Sequence, residues 1–441
     1  LFGTNNMPDC SNMCHEASGV ALTEAIGIGK GTVHLEDFDH ADLVYCVGQN
    51  PGTNHPRMLA SLREVVQRGG RVCVFNTLRE QGLHRFADPQ NKLEMIRGGS
   101  EPTSTDYYRP RLGGDMAVFR GMSKIVLEAD EIARTAGEDP VLDHAFLEEH
   151  CAGFDDWAAT SWAHIEDQSG LTRAEIATAA QIYMEAERVI TTWAMGVTQH
   201  LHSVPTIREI ASFMFLRGNV GRKGAGLCPV RGHSNVQGDR TVGINEKAPK
   251  PLLDAMEKEL GVSLPRAPGH NVAQAIGAML DGSCCAFVAL GGNFARAVPD
   301  SNLVADAFRK LDLTVNIATK LNHGHLMPGR VSYVLPCLGR TEIDRNSKGA
   351  RQIVTVEDSM SMVHGSGGIN LPASKELKSE VRIICGLAKA TLGSDVVDWD
   401  ALADDNDLIR DMIGRVLPIF GDYNDRVRKP RGFWLRNPAT E

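Results

Sequence analysis

Asp42-Leu43-Val44-Tyr45-Cys46-Val47-Gly48-Gln49-Asn50-Pro51-Gly52-Thr53-Asn54-His55-Pro56 is the stretch that decides how this chain folds. Residues 42–48 are a short apolar run closed by glycine, which reads as a buried strand. Residues 55–68 then have helical spacing, with Met58, Leu59, Leu62, Val65 and Val66 on one side, and Arg71–Phe75 reads as the next strand. Strand, helix and strand in this order imply a mostly parallel sheet covered by helices. In such sheets ligands bind beyond the carboxyl ends of the strands, at switch points. Loops that directly follow strands therefore carry the functional reading.

The alternation continues outward. Residues 17–26, 115–128, 173–187 and 205–217 read as helices, and 189–194 as a strand. A second α/β block follows, with helices at 271–280 and 302–311 and strands at 286–290, 313–317 and 331–335. Between the blocks, 245–264 is charged and proline-bounded, a surface excursion or a connection. From Asp398 the chain is acidic and then basic, and reads as a helix with an extended connector. Cys284-Cys285, just before a strand, reads as core.

Two strand-following loops match in kind. Gly48 to Pro56 carries Asn50, Pro51 and His55; Gly291-Gly292-Asn293-Phe294-Ala295-Arg296 is its counterpart in the second block. Glycine lets backbone approach a ligand, and asparagine or arginine can donate to a phosphate or a purine edge. Either loop alone could be an ordinary turn. Together they suggest one large ligand with two nucleotide-like ends, or two copies of one ligand. Gly27-Ile28-Gly29-Lys30-Gly31-Thr32 only imitates a phosphate loop: the motif's first glycine would fall at Glu24, and the stretch precedes a strand instead of following one. It reads as a helix C-cap and turn.

The chain has 441 residues, 42% of them hydrophobic, enough for two lobes. Its net charge of -9 argues against general nucleic-acid binding. No apolar run reaches the length of a membrane span. Ten scattered cysteines fit a reducing cytoplasm better than a disulfide framework. A start at Leu1 and an end at Asn437-Pro438-Ala439-Thr440-Glu441 suggest the central part of a longer protein.

Cys14-His15, where a loop meets a helix, could supply a soft metal ligand or an activated thiolate, because a helix N-terminus favours the anion. An inert buried cysteine is the alternative. Residues 218–238 form a long glycine-rich segment, and such loops usually need a ligand or an interface to organise them. Within it Arg231 lies between Val230 and Gly232. A partly buried arginine needs an anion, either a ligand or an internal carboxylate.

In order along the chain, residues 9–18, 48–56, 218–238, 291–300 and 319–326, followed by Leu335-Pro336, resemble the molybdopterin oxidoreductases of the formate dehydrogenase type, most closely the formate dehydrogenase-like alpha (catalytic) subunits. The resemblance covers nearly the whole chain. It implies two Rossmann-like α/β lobes: residues 1–13 and 234–390 as one cofactor-binding lobe, 14–233 as the other, and 391–441 as a helix and connector toward a C-terminal cap domain. The implied cofactor is molybdenum (or tungsten) held by two molybdopterin guanine dinucleotides. A 4Fe-4S cluster is expected only in an N-terminal part outside this chain. Cys14 matches the metal ligand, a soft thiolate suited to a metal surrounded by sulfur. His15 matches a histidine that moves a proton or positions the substrate, and Arg231 an arginine that clamps a substrate carboxylate. The resemblance also places Asn6, Gly48, Asn50, Pro51, His55, Asn76, Gly114, Asp115, Gly196, Gly232, Gly291, Gly292, Asn293, Arg296, Lys320 and His325 at cofactor-binding positions. His323 and His325 could equally be surface residues.

Two positions depart from the pattern. His233 stands where formate dehydrogenases usually carry glutamine, and Asn76 where an aspartate is common. The implied activity is two-electron oxidation of formate to CO2, with formate or another small anion as substrate and an electron-transfer partner. Reduction of an oxyanion or a sulfur compound, or a non-catalytic nucleotide-binding α/β module, are the alternatives.

Overall fold

Leu43–Val47 forms β1, and all five of its residues are buried. A strand buried on both faces must be apolar throughout, so this run does not alternate. The protein is described by a computed structural model covering residues 1–153 and 159–440. The chain divides into two discontinuous units: a central one (residues 14–233, 359–361 and 437–441) and a flanking one (1–13, 234–358 and 362–436).

The central unit holds a five-stranded parallel sheet of β1, β2 (Arg71–Phe75), β3 (Asp106–Tyr108), β4 (Val189–Trp193) and β5 (Gly226–Pro229), in the order β3-β2-β1-β4-β5. Strand order reverses at β1, which pairs with β2 on one side and β4 on the other; Val47 is level with both Phe75 and Trp193. Helices α1 (Glu16–Ile26), α2 (Met58–Gln67), α3 (Asp115–Ala136), α4 (Arg173–Glu185) and α5 (Ser203–Phe215) accompany the sheet. In α3 the residues Val118, Phe119, Met122 and Val126 recur at three- and four-residue spacing and are buried with Tyr45, Phe75 and Phe213. Each such side chain contributes about 1.5–3 kcal/mol by leaving water. The Tyr45 hydroxyl donates to the Ala179 carbonyl at 2.8 Å. Thr172 and Glu175 form a capping box at the start of α4. Gly27 ends α1 at φ 78°, so the phosphate-loop lookalike is a helix cap and turn.

The flanking unit carries a parallel sheet of β6 (Ala286–Leu290), β7 (Leu313–Ala318) and β8 (Val331–Pro336), in the order β8-β7-β6. Helices α6 (Val272–Asp281) and α7 (Ser301–Arg309) pack with Phe287, and α8 (Glu380–Leu392) covers Val315 and Ile317 through Ile383 and Leu387. The other side of β6 is open: Val288 and Leu290 are 51% and 56% exposed. Of the two cysteines before β6, Cys284 packs against the core formed by α6 and α7 and Cys285 does not. Cys284 is partly buried and Cys285 exposed, because they precede this half-covered strand.

One further segment gains detail and another differs from expectation. Residues 245–264 contain a helix, Lys250–Leu260, that buries Leu252 and Leu253. The region after Asp398 is no extended connector. It forms helices at Trp399–Asp404, Asn406–Val416 and Tyr423–Val427, then a strand, β11 (Phe433–Trp434). That strand completes an antiparallel sheet with β9 (Val354–Glu357) and β10 (Met362–Ser366). Two-residue pairing has no periodicity to reveal it beforehand. Among the described residues, no helix is long and apolar enough to cross a membrane.

Candidate functional site

Four loops leave the carboxyl ends of β1, β2, β4 and β5, and together they line a cavity of about 310 Å³ in the central unit. They contribute Gly48, Gln49, Asn50, Asn54 and His55; Asn76 and Glu80; Ala194, Met195 and Gly196; and Val230 and Gly232. The cavity lies where strand order reverses, the place open α/β sheets reserve for ligands. Two loops touch by backbone at its base. Gly48 turns at φ 56°, which an L side chain rarely adopts, and its carbonyl accepts from Gly196 N–H at 3.0 Å. A Cβ on Gly196 would lie 2.6 Å from that carbonyl oxygen, so glycine is required for the contact.

Gln49 is only 4% exposed. Its amide orientation follows from its neighbours. The Thr192 hydroxyl donates to the Tyr45 carbonyl at 3.1 Å, so it must accept from Gln49 Nε2. This leaves Gln49 Oε1 buried with no hydrogen-bond partner among the described residues. Nearby, Asn50 Nδ2 donates to Glu80 Oε2 at 2.7 Å, and Asn76 Nδ2 donates to the Gln49 carbonyl at 3.1 Å. Glu80 N–H donates to the Tyr107 hydroxyl at 3.1 Å, which seats the end of this loop. The lining residues thus include a carboxylate, Glu80, and a glutamine whose amide oxygen is buried without a partner among the described residues.

Cys14 lies just before α1 and is buried. Its Sγ is 3.6 Å from Met195 Sδ, and its carbonyl accepts from the Thr198 hydroxyl at 2.6 Å. A Cβ built on Gly232 would stand 3.7 Å from Cys14 Sγ, so the segment after β5 runs beside the thiol. Arg231 is half-buried; its Nη2 donates to the Gly29 carbonyl at 2.9 Å and its N–H to Ser359 Oγ at 3.2 Å. His55 Nε2 donates to the Arg231 carbonyl at 2.7 Å. His15 is fully buried. Burial first, then the Arg231 charge, push its ring down to about 3; the Val230 carbonyl opposes this and His55 adds to it. His15 is therefore neutral at ordinary pH. His233 is exposed.

Of the remaining positions, Pro51 starts a short helical turn capped by Asn50. Gly114 and Asp115 begin α3 and are not among the residues lining the cavity. Gly114 is needed there for packing, since a Cβ would meet the Gln168 carbonyl at 2.8 Å. Asp115 is buried, which raises its carboxyl to about 6. In the flanking unit, Gly291 and Gly292 both have positive φ, and Asn293 Oδ1 accepts from Gly324 N–H at 3.2 Å. Asn322 donates to the Gly292 carbonyl at 2.8 Å and Arg296 pairs with His323 at 3.1 Å. The loops after β6 and β7 therefore lie side by side. Lys320 is exposed and His325 partly buried in the second of them. Asn6 accepts from His270 N–H at 2.9 Å. Gln49, Glu80 and Met195 were not singled out from sequence, although each follows a strand closely enough for the loop rule to have reached it.

A sequence profile described as molybdopterin oxidoreductase matches residues 3–327. Protein YdeP of Escherichia coli K12 is 49% identical over 444 residues, a match that takes in all of this chain and 58% of that protein. A putative formate dehydrogenase of Staphylococcus aureus is 27% identical over 71% of this chain and 30% of its own length. Acetylene hydratase from Pelobacter acetylenicus shares the fold at a TM-score of 0.66 and 17% identity, over 94% of this chain and 55% of that structure. The chain thus spans less than two thirds of the length of that Escherichia coli protein. With parallel α/β architecture, a ligand cavity at the strand-order reversal and a profile match over most of its length, this chain belongs to the molybdopterin oxidoreductase family, whose members work with a molybdenum or tungsten pterin cofactor.

Proposed function

We propose that this chain is the cofactor-binding part of an oxidoreductase that uses molybdenum or tungsten bis-molybdopterin guanine dinucleotide, and that its reaction is the oxidation of formate to CO2, a proton and two electrons. The observation that carries the reading is the convergence of Cys14, Met195 and the Arg231-Gly232 segment beside one cavity.

The residues suit such a group. Among the described residues, no three His, Cys, Asp or Glu side chains gather to hold a bare ion. One buried thiol with a thioether neighbour matches a soft metal that arrives with sulfur ligands of its own. The orphaned Gln49 oxygen and Glu80 suit the N–H donors of a guanine or the hydroxyls of a ribose. When bound, the group supplies the two-electron redox chemistry. Cys14 would be its protein ligand. Gly48, Gln49, Asn50, His55, Asn76, Glu80, Gly196 and Gly232 would hold one dinucleotide, and Gly291, Gly292, Asn293, Arg296, Lys320 and His325 the other. Arg231 would orient the formate carboxylate, with its backbone held by His55 and Ser359. A fully buried His15 beside it excludes water and carries no charge to compete for the anion. Electrons would leave to a partner through a 4Fe-4S cluster outside residues 1–441.

The test is metal and guanine analysis with formate-dependent dye reduction on the full-length protein, beside Cys14→Ala and Arg231→Ala. Full activity in Cys14→Ala would remove the ligand assignment. A pterin-loaded protein that ignores formate but reduces an oxyanion or a sulfur compound would establish the second reading. That reading is favoured by exposed His233 two residues beyond Arg231.

A further inference from the structure

We infer that the glycine-rich turn at residues 27–32 positions Arg231: Thr32 docks the turn on β5, and the Gly29 carbonyl fixes the direction of the guanidinium. In sequence the turn imitates a phosphate loop, but in the structure its glycines let it lie between α1 and β5. A Cβ on Gly29 would stand 3.0 Å from the Gly19 carbonyl oxygen, 3.1 Å from Gly19 Cα and 3.2 Å from Thr23 Oγ1, all in α1. A Cβ on Gly31 would stand 2.9 Å from the Leu227 carbonyl oxygen and 3.0 Å from Pro229 Cδ, both in β5. Backbone held that closely on two sides has no room for side chains at these positions.

β5 is the last strand of its sheet, and the turn binds its backbone. Thr32 N–H donates to the Leu227 carbonyl at 2.8 Å, and Leu227 N–H donates to Thr32 Oγ1 at 2.8 Å. Asn437, only 2% exposed, donates from Nδ2 to the Gly31 carbonyl at 2.7 Å. The turn is therefore anchored on the same strand that carries Arg231 two residues beyond its end. From that anchor the Gly29 carbonyl accepts from Arg231 Nη2 at 2.9 Å. The Arg231 backbone is held separately, by Ser359 and His55. A guanidinium is a rigid planar fork, so fixing one of its nitrogens constrains the direction of the others. A carbonyl oxygen does this without neutralising the charge, which a carboxylate would do. The contact thus orients the fork and leaves its positive charge for an anion.

The consequence for turnover rests on the proposed function. If Arg231 clamps a carboxylate, the turn sets where that carboxylate lies, and Gly29 and Thr32 act on substrate affinity only through Arg231.

The experiment is timed phenylglyoxal modification of the full-length protein, read at each arginine by peptide mass spectrometry. A guanidinium held by Gly29 must leave that bond to react, so wild-type Arg231 should react about tenfold more slowly than exposed Arg57. Equal wild-type rates would overturn the inference, and this comparison needs no variant to fold. Gly29→Val forces the turn away from Gly19, and Thr32→Val removes the hydroxyl that accepts from Leu227. In either folded variant Arg231 should react about tenfold faster than in wild type, while Arg71, paired with Asp106, keeps its rate. An unchanged Arg231 rate in either folded variant would overturn the inference. With formate as substrate, both variants should raise KM about tenfold with a smaller change in kcat, and should add nothing in an Arg231→Ala background. A rise in KM that persists without Arg231 would also overturn it. No formate turnover, or an unchanged KM in Arg231→Ala alone, would count against the proposed function, and the modification rates would still decide whether the turn holds Arg231.

Discussion

Gln49→Leu should separate folding stability from ligand affinity, because Gln49 satisfies the protein at one end and waits for a ligand at the other. In the folded chain its Nε2 donates to Thr192, a neutral bond with a net contribution of about 1 kcal/mol. Its Oε1 is buried without a partner, at an unrecovered desolvation cost of about 1–3 kcal/mol. Leucine removes both effects and adds apolar burial, so the unfolding free energy should change by no more than about 1 kcal/mol, in either direction. Ligand binding should respond very differently. A donor on the ligand would lose its acceptor and be buried unpaired, which corresponds to roughly ten- to a hundredfold weaker binding. The assay pairs urea unfolding with titration of guanosine monophosphate into cofactor-free protein. Unchanged affinity would show that Oε1 does not face the ligand. A loss of more than about 2 kcal/mol of stability would show that the amide is structural and that its oxygen is not an orphan.

Glu80→Gln keeps the shape and the geometry of the contact with Asn50 but removes the charge, so affinity for guanosine monophosphate should fall about tenfold with little change in unfolding; equal affinity would exclude Glu80 from the ligand. Gly196→Ala should lower both quantities together, because its Cβ would sit 2.6 Å from the Gly48 carbonyl oxygen and 2.8 Å from Gly48 Cα. Backbone must part there, at about 1–3 kcal/mol, and an unchanged melting temperature would contradict the contact. Asp115 gives a pH-dependent case. Burial raises its carboxyl from 3.8 to about 6, so its contribution to stability is intact below about pH 3.8 and is lost as pH rises through 6. The gap corresponds to on the order of 3 kcal/mol above pH 6. Asp115→Asn should therefore gain stability relative to wild type between pH 4 and pH 7.5, and a pH-independent difference in unfolding free energy would refute the cause.

Local features were legible in the sequence because their causes are local. The apolar run at Leu43–Val47 has to be a buried strand, Gly48 has to end it, and Arg71–Phe75 repeats the pattern a helix later. Those facts were enough to direct attention to the loop carrying Asn50 and His55. The spacing of Val118, Phe119, Met122 and Val126 likewise declared a helix and its buried face. Cys14-His15 and Arg231 stood out by residue type and setting alone.

Other features are matters of meeting, and no local pattern encodes a meeting. That β4 lies beside β1 is a result of crossovers, and only that adjacency brings Gly196 against Gly48. The pairing of Phe433–Trp434 with Met362 and Val363 joins distant segments too short to show a period. The exposure of Cys285 depends on which face of β6 the helices cover. The orphaned oxygen of Gln49 exists because Thr192 has already given its proton to Tyr45. In the same way His15, Ser18 and Trp193 are joined in a buried chain of hydrogen bonds, although the sequence offers Ser18 and Trp193 only as an ordinary helix serine and a core aromatic. Side-chain periodicity follows from the backbone's own geometry and can be read along the chain, whereas hydrogen-bond satisfaction is settled among all neighbours at once and exists only in the folded structure.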